Sequence, residues 1–196
     1  ALTLFDSDEK EKKQKIDHTA QWITCVGMVL SMLCAIIVFW DFITGGNPRT
    51  TELFTWIDSG ALEVSWALKV DTLTSVMMLV VTGVSAMVHI YSIGYMHEEY
   101  SFYRFFSYMN LFMFSMLLLV MGNNFLLMFI GWEGVGCCSY LLIGYYFEKK
   151  SACDAGTKAF VMNRVGDFAF LIAVMYIFYI FGSIDFTTVF HAAPEK

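Results

Sequence analysis

The stretch of sequence that decides the fold is FFSYMNLFMFSMLLLVMGNNFLLMFIGWEGVGCCSYLLIGYYF, residues 105–147, in which Glu133 is the only charged residue. A helix that crosses a bilayer needs about 20 mostly apolar residues, so this stretch is too long for a single span. Gly122-Asn123-Asn124 interrupts it with residue types that mark turns. The stretch therefore predicts two antiparallel transmembrane helices, over 104–121 and 124–147.

Three further apolar runs lie outward from this pair and predict spanning helices over 21–43, 72–96 and 158–182. Residues 22–40 carry no charge, and residues 72–96 carry none apart from a potential charge on His89. The 196-residue chain is 58% hydrophobic and 15% charged, whereas soluble domains have about 25% charged residues. This composition excludes a water-soluble domain and a disordered chain. The sequence predicts an all-α integral membrane protein with five transmembrane helices.

The segments outside the predicted spans are a charged N-terminal arm over 1–20, an outward loop over 44–71 and a C-terminal tail over 183–196. Apolar and polar residues alternate over 61–70, and a period of two is typical of a strand. Residues 53–57 predict a second strand, with turn residues between the two. A lone hairpin is marginal in water, so we expect this short extramembrane β-hairpin to lie against neighbouring protein.

The distribution of lysine and arginine predicts the orientation, because loops on the cytoplasmic or matrix side are enriched in both. Eight of these residues fall on one side of the five predicted spans, three on the other, and Arg164 lies within a span. The N-terminus and the loops over 97–103 and 148–157 are therefore predicted to face the cytoplasm or matrix. The eight are Lys10, Lys12, Lys13, Lys15, Arg104, Lys149, Lys150 and Lys158, and the three are Arg49, Lys69 and Lys196.

Charge and cysteine spacing exclude other classes of function. The formal net charge is −6, and no basic stripe with interleaved aromatic residues is present, so we expect no nucleic-acid partner. The cysteines form no C-x-x-C pair and have no zinc or iron–sulfur spacing, so no metal site is expected. They are predicted to be small buried side chains: Cys25, Cys34, Cys137, Cys138 and Cys153.

The candidate functional residue in the central stretch is Glu133, because an ionisable side chain inside the bilayer is costly and usually functional. It lies in GWEGVG, residues 131–136, whose three glycines allow another backbone to approach and leave room for water. Burial disfavours a carboxylate unless a cation lies beside it, and such a group can exchange protons. The alternative interpretation is a structural ion-pair anchor.

Three other ionisable residues within the predicted spans are candidate functional residues. Arg164 and Asp167 are three residues apart, so they share a helix face and can pair. Their alternative role is a purely structural pair in which the arginine snorkels to the interface. His89 titrates in a useful pH range, but it can equally be a hydrogen-bonded core residue.

The motifs resemble, in order along the chain, those of subunit 5 of NADH dehydrogenase, the L-type antiporter-like subunit of respiratory complex I. The resemblance runs from about residue 50 to 186, and GWEGVG followed by RVGD is its most specific part. The first 50 residues agree only as a hydrophobic helix. The supporting segments are VDTLT at 70–74, VVTGV at 80–84, HIYS at 89–92, RFF at 104–106, NLF at 110–112, SYLLIG at 139–144, KAF at 158–160 and NRVGD at 163–167.

The resemblance implies a proton-translocating piece of NADH:ubiquinone oxidoreductase, within a larger antiporter-like helical fold. It implies that Glu133 pairs with a lysine on a later helix in a mid-membrane proton relay, with Arg164 and Asp167 supporting that site. Flavin and iron–sulfur clusters are expected on other subunits, and neither a cofactor nor redox catalysis is expected on this chain.

The resemblance also implies partners, because the family's subunit is much longer than this chain and its lysine lies beyond the matching region. We expect the remaining helices on a second fragment, assembled with other membrane-arm subunits; omitted sequence is the other explanation. The expected location is the mitochondrial inner membrane, with a bacterial cytoplasmic membrane as the alternative. Two other functions remain open: a fragment of the large subunit of a multisubunit Na+/H+ antiporter, which shares the GWE motif, and a purely structural assembly chain.

Overall fold

The computed structural model of the protein describes residues 2–60, 62–97, 99 and 102–195, and it describes side chains within 18–194. These residues form helices packed in sequence order, with one hairpin inserted after the first helix. The elements are α1 (Leu2–Ile43), β1 (Arg49–Ser59), β2 (Leu62–Val70), α2 (Thr72–Tyr95), α3 (Phe102–Met121), α4 (Phe125–Ile143), α5 (Lys150–Phe181) and α6 (Phe186–Ala192), followed by a 3-10 turn over Ala193–Glu195.

Five of the described helices are long and apolar enough to cross a membrane, which confirms the predicted fold class. In α1 the apolar segment is His18–Ile43, and α2, α3, α4 and α5 qualify over their full lengths. Helices α1 and α2, α3 and α4, and α4 and α5 form the main packing interfaces. The 19 residues of α4 rise about 28 Å, which matches a hydrocarbon core of about 30 Å.

The helices differ from the predicted ones at several places. Helix α4 ends at Ile143 instead of residue 147. Helix α1 begins at Leu2, within the predicted arm over 1–20, and the side chains of residues 1–17 lie outside the described part of the chain. Helix α5 begins at Lys150 instead of residue 158. Lys150, Asp154 and Lys158 are exposed along this first part of α5, so charge ends the apolar pattern without ending the helix. Helix α6 forms within the predicted tail.

The hairpin is present as a two-stranded antiparallel sheet, in which Arg49 pairs with Val70 and Ser59 with Leu62. Its first strand is longer than the predicted 53–57 and contains two register shifts. The side of β2 that includes Val64 is buried against α5 and the α5–α6 corner. The hairpin therefore rests on the helices, as a marginal two-stranded sheet requires.

The interruption between α3 and α4 is also a junction with the hairpin and α6. Asn124 caps α4 by accepting from Leu127 N at 2.8 Å, and its Nδ2 donates to Ser65 O of β2 at 2.9 Å. Asn123 Nδ2 donates to Asp185 Oδ1 at 2.6 Å, and Asp185 in turn caps α6. The three residues that predicted only a helix break thus tie four elements together at one end of the bundle.

The loops predicted to face the cytoplasm or matrix lie at the other end. Arg104 Nη2 donates to Tyr145 O at 3.0 Å, and its guanidinium lies over the Phe147 ring at 4.9 Å. Tyr146 Oη donates to Glu99 Oε1 at 3.0 Å. The grouping of the loops therefore agrees with five antiparallel crossings, while their orientation across the membrane remains a prediction. The predicted outward charge Lys196 lies outside the described residues.

Candidate functional site on helices α4 and α5

The glycines of residues 131–136 set the distance from α4 to its neighbours. A Cβ atom on Gly131 would lie 2.5 Å from the backbone nitrogen of Leu119, so α3 and α4 are in backbone contact. A Cβ atom on Gly134 would lie 2.5 Å from Ser115 Oγ, one turn further along the same interface. These contacts confirm the predicted close approach of another backbone.

Glu133 lies between these glycines and contacts α5. Arg164 Nη1 donates to Glu133 Oε2 in a close ion pair, and the same atom lies 3.7 Å from Asp167 Oδ2. One guanidinium therefore serves two carboxylates on two helices. The structure brings together three of the four predicted site residues, and Arg164 is shared instead of paired with Asp167 alone.

The charged cluster, defined as Glu133, Arg164 and Asp167, lies deep in the apolar layer and is open on one side. Glu133 is the ninth residue of α4, about 12 Å from the helix start. The exposed fractions of the side chains are 8% for Asp167, 23% for Glu133 and 44% for Arg164. Within the described residues, the cluster is thus buried at Asp167 and exposed at Arg164.

The charges in the cluster do not balance. Two ionised carboxylates against one guanidinium leave a formal charge of −1. A charge near the middle of a bilayer costs at least about 2.5 kcal/mol on the mildest insertion scale. Within the described residues, the cluster therefore lacks one positive charge.

Trp132 is a cluster contact that sequence reasoning missed. Its indole Nε1 donates to Asp167 Oδ1 at 3.0 Å. A signal was present, since an indole N–H in an apolar helix needs an acceptor and Trp132 directly precedes the candidate Glu133. The identity of the acceptor, 35 positions along the chain, depends on how α4 packs on α5.

His89 lies elsewhere, on α2, and no described contact joins it to the charged cluster. It is fully buried; its Nδ1–H donates to Ser85 O at 2.8 Å, and its ring meets Phe106 edge-on. Its Nε2 is buried, and the Asn110 side chain of α3 interacts with the imidazole. His89 belongs to a buried polar stripe along α2, made of Thr74, Ser75, Thr82, Ser85, His89 and Ser92.

The cysteines are all free, and their burial varies. Cys138 is fully buried, as predicted, whereas Cys34 is exposed on α1 and the other three are half-buried. Within the described residues, no group of three or more His, Cys, Asp and Glu side chains has an arrangement that could hold a metal ion.

Comparisons with known proteins place this geometry in a family. Residues 56–106 match the family described as "NADH-Ubiquinone oxidoreductase (complex I), chain 5 N-terminus". Residues 122–196 match the family described as "NADH:quinone oxidoreductase/Mrp antiporter, TM". The second match contains the entire charged cluster, so the cluster lies in a region that resembles the membrane subunits of NADH:quinone oxidoreductases and Mrp antiporters.

Two curated relatives specify the family further. The chain is 52% identical over 182 residues to NADH-ubiquinone oxidoreductase chain 5 of Rhizopus stolonifer, covering 92% of this chain and 28% of that protein. It is 49% identical over 179 residues to NADH-quinone oxidoreductase subunit L of Neisseria meningitidis serogroup B, covering 90% and 27%. The chain belongs to the complex I chain 5 (subunit L) family, and it spans about a quarter of the length of these relatives.

A solved structure supports the fold alone. The Mrp complex from Dietzia sp. DQ12-45-1b matches with a TM-score of 0.70 at 20% sequence identity, over 85% of this chain and 18% of that chain. The five helices are thus part of a larger antiporter-like helical fold, as predicted, in a multi-pass membrane protein.

Proposed function

We propose that this chain forms part of a proton-translocating membrane-arm subunit of NADH:ubiquinone oxidoreductase and contributes Glu133 to a mid-membrane proton path. The observation that carries the proposal is the charged cluster, in which one guanidinium forms ion pairs with two carboxylates inside the apolar layer. The names and family of the relatives support the assignment to this enzyme complex. The charged cluster supports the assignment of a proton-binding site.

The proposed chemistry follows from the shared guanidinium. When Arg164 is close to Glu133, the ionised form of that carboxylate is stabilised, and Asp167 retains the weaker contact. A shift of the guanidinium toward Asp167 would leave Glu133 with less compensation and favour its protonation. A neighbouring charge that moves Arg164 or approaches Glu133 therefore converts electrostatic work into proton uptake and release.

We propose that the missing positive charge is a lysine ammonium supplied by helices beyond these 196 residues. The open side of the cluster, beside the partly exposed Arg164, is where such a helix can pack. At an effective dielectric constant near 20, a cation about 4 Å from a carboxylate contributes on the order of 4 kcal/mol. An ammonium within about 4–8 Å of Glu133, directly or through water, is strong enough to control its protonation.

The remaining helices are proposed to lie on a second fragment that assembles with this chain and with other membrane-arm subunits. Flavin and iron–sulfur clusters are proposed to lie on other subunits of the complex. The ubiquinone-linked relative from a fungus favours a mitochondrial inner membrane, and the bacterial relative keeps a bacterial cytoplasmic membrane as the alternative. An antibody against residues 44–60 would report the polypeptide size in the assembled complex, and a full-length band would contradict the second fragment.

The central test is Glu133→Gln in membrane vesicles that contain the assembled complex. We expect most proton pumping to be lost while NADH oxidation is partly kept, because glutamine keeps the shape and removes the ionisable group. Glu133→Asp should be milder. Glu52→Gln, at an exposed carboxylate on β1, is the matched control and should pump normally. Normal pumping by Glu133→Gln in the assembled complex would overturn the proposal and favour a structural chain.

The alternative function is part of a multisubunit Na+/H+ antiporter, which the shared family description and the Mrp structure favour. The two functions differ in what purifies with the chain. Subunits that oxidise NADH and contain iron–sulfur clusters indicate complex I, whereas Na+-dependent proton transport without them indicates the antiporter.

His89 is proposed as a second and separate proton-binding position. Its support is complete burial of an imidazole that lies between Ser85 O of α2 and the Asn110 side chain of α3. His89→Gln should lower the pumping rate if the imidazole takes up a proton, and an unchanged rate would leave it as a packing residue.

A further inference from the structure

The two oxygens of the Asp167 carboxylate are held by different partners from different helices. Trp132 Nε1, on α4, donates to Oδ1 at 3.0 Å. Arg164 Nη1, one turn before Asp167 on α5, lies 3.7 Å from Oδ2. The shorter of the two contacts comes from the neutral indole, so the guanidinium is not the main hydrogen-bond donor to Asp167.

Asp167 needs such a donor more than the other carboxylates do. It is 6% exposed and is the only Asp or Glu that is buried among the described side chains. A buried carboxylate is stable only where its lone pairs are satisfied. The Arg164 guanidinium cannot meet this need alone, since it is in closer contact with Glu133.

The indole is fixed in position by aromatic neighbours. The Trp132 ring lies edge-on to Phe170 at 6.3 Å, and Phe170 in turn packs edge-on to Phe129 at 5.5 Å. Phe170 follows Asp167 by three residues, so the same turn of α5 presents both the acceptor and the ring that orients the donor.

We propose that Trp132 is a positioning residue, which holds the Asp167 carboxylate by a neutral hydrogen bond so that Arg164 can be shared with Glu133. This inference rests on the proposed function of the charged cluster. The neutrality of the indole is essential: its N–H donates a hydrogen bond and adds no positive charge, so the cluster keeps its formal charge of −1. A lysine or arginine at this position would complete the charge balance and remove the cluster's preference for a proton.

A pure packing role makes the opposite prediction for two substitutions at this position. Phenylalanine keeps an apolar ring and loses the donor, whereas histidine is smaller and more polar but keeps a ring N–H. If Trp132 only fills space against Phe170, Trp132→Phe should be the better replacement. If it donates to Asp167, Trp132→His should be the better one.

The experiment measures proton pumping per NADH oxidised, and the amount of assembled complex, for both variants in membrane vesicles. Trp132→Phe is expected to pump about tenfold less at a similar level of assembly, the scale of losing one hydrogen bond to a charged group, while Trp132→His recovers at least half of the native rate. Trp40→Phe, at an exposed tryptophan on α1, is the matched control and should pump normally.

Three results would overturn the inference: native pumping by Trp132→Phe, a better rate for Trp132→Phe than for Trp132→His, or failure of both variants to assemble where Asp167→Asn assembles. The last would show that the ring, and not the N–H, is required. The proposed function is tested separately, because loss of pumping in Glu133→Gln with native pumping in Trp132→Phe contradicts the inference alone.

Discussion

The charged cluster of α4 and α5 and the buried polar stripe of α2 place polar groups in the same apolar layer by opposite means. In the stripe, hydroxyls bond to carbonyls of their own helix: Ser75 Oγ donates to Thr72 O at 2.8 Å and Thr82 Oγ1 to Met78 O at 2.7 Å. In the cluster, each charged group depends on a residue of the other helix or on Trp132. Thr74 Oγ1 of the stripe also donates to Val120 O of α3 at 3.5 Å. The stripe is therefore neutral and bonded mainly within its own helix, whereas the cluster is charged and bonded between helices.

This difference indicates that the stripe serves helix packing and that the charged cluster is suited to proton chemistry. Serine and threonine residues whose hydroxyls donate to carbonyls of their own helix need no ligand. Such small residues commonly allow membrane helices to pack closely. Two carboxylates with one guanidinium retain an unmet electrostatic demand. His89 is the ionisable member of the stripe, and its imidazole interacts with the Asn110 side chain of α3 as well as with Ser85 of α2.

The sharpest test of the comparison is to remove the only cation of the cluster. Arg164→Gln changes the formal charge of the cluster from −1 to −2, and we expect about a tenfold loss of assembled complex, because both carboxylates lose their compensating charge inside the apolar layer. Adding Asp167→Asn returns the charge to −1 and should restore most of the assembly but not the pumping. Native gels and immunoblots measure the assembled fraction.

Arg49→Gln is the matched control for this experiment. Arg49 lies on β1, pairs with Asp41 near the end of the first span at 3.2 Å and is 71% exposed, so its loss should leave assembly unchanged. If the double variant Arg164→Gln with Asp167→Asn assembles no better than Arg164→Gln alone, charge balance does not explain the arginine.

A second test concerns the other face of α4, which is packed without space. Gly131→Ala places a methyl group against the backbone of Leu119, whereas Gly166→Ala on α5 meets no atom within 4 Å. We expect Gly131→Ala to lower the stability of the α3–α4 pair by about 1–3 kcal/mol and Gly166→Ala to have little effect. Thermal denaturation of the detergent-solubilised complex compares them, and equal midpoints would show that α3 and α4 separate easily.

The sequence allowed the fold class, the break at 122–124 and the three members of the charged cluster to be predicted, because each depends on local pattern. Long uncharged runs identify spans, and charges within them identify the cluster without knowledge of any contact. Patterns based on charge failed at Lys150, where an exposed charged turn continues a helix, and at Leu2, where α1 extends beyond the apolar run.

The partners within the site could not be predicted, because they depend on how separate helices pack. Spacing along one helix predicted that Arg164 pairs with Asp167, and this contact is present at 3.7 Å. It could not show that Arg164 approaches Glu133 more closely, or that Trp132 binds Asp167. The junction of Asn123 with Asp185 was missed for the same reason, since the two residues are 62 positions apart.

A smaller effect is expected from the polar stripe. Thr82→Val keeps the shape of the side chain, and the Met78 carbonyl keeps its helical hydrogen bond, so we expect a change in stability below about 1 kcal/mol. Pumping should remain within about twofold of native, since the stripe is interpreted as packing. A large loss of pumping with normal assembly would show that the hydroxyls take part in proton transfer, and the comparison between the two regions would no longer hold.

The smallest effect is expected at the end of the bundle opposite the hairpin, outside the apolar layer. Tyr146 donates to the Glu99 carboxylate, and this hydrogen bond, with partial burial and nearby negative charge, raises the pKa of the Tyr146 phenol above its ordinary value of 10.0. Because the folded state holds this proton more tightly, the bond's contribution is fully present below pH 10.0 and is lost as the pH rises through the raised pKa.

Tyr146→Phe should therefore lower the stability of the complex by less than about 1 kcal/mol, by a constant amount near neutral pH and by less above pH 10.0. Thermal denaturation of both proteins across this range measures the difference. A gap that widens with pH would show that the folded state favours the ionised phenol. Pumping near neutral pH should be the same in both proteins, because Tyr146 lies outside the charged cluster.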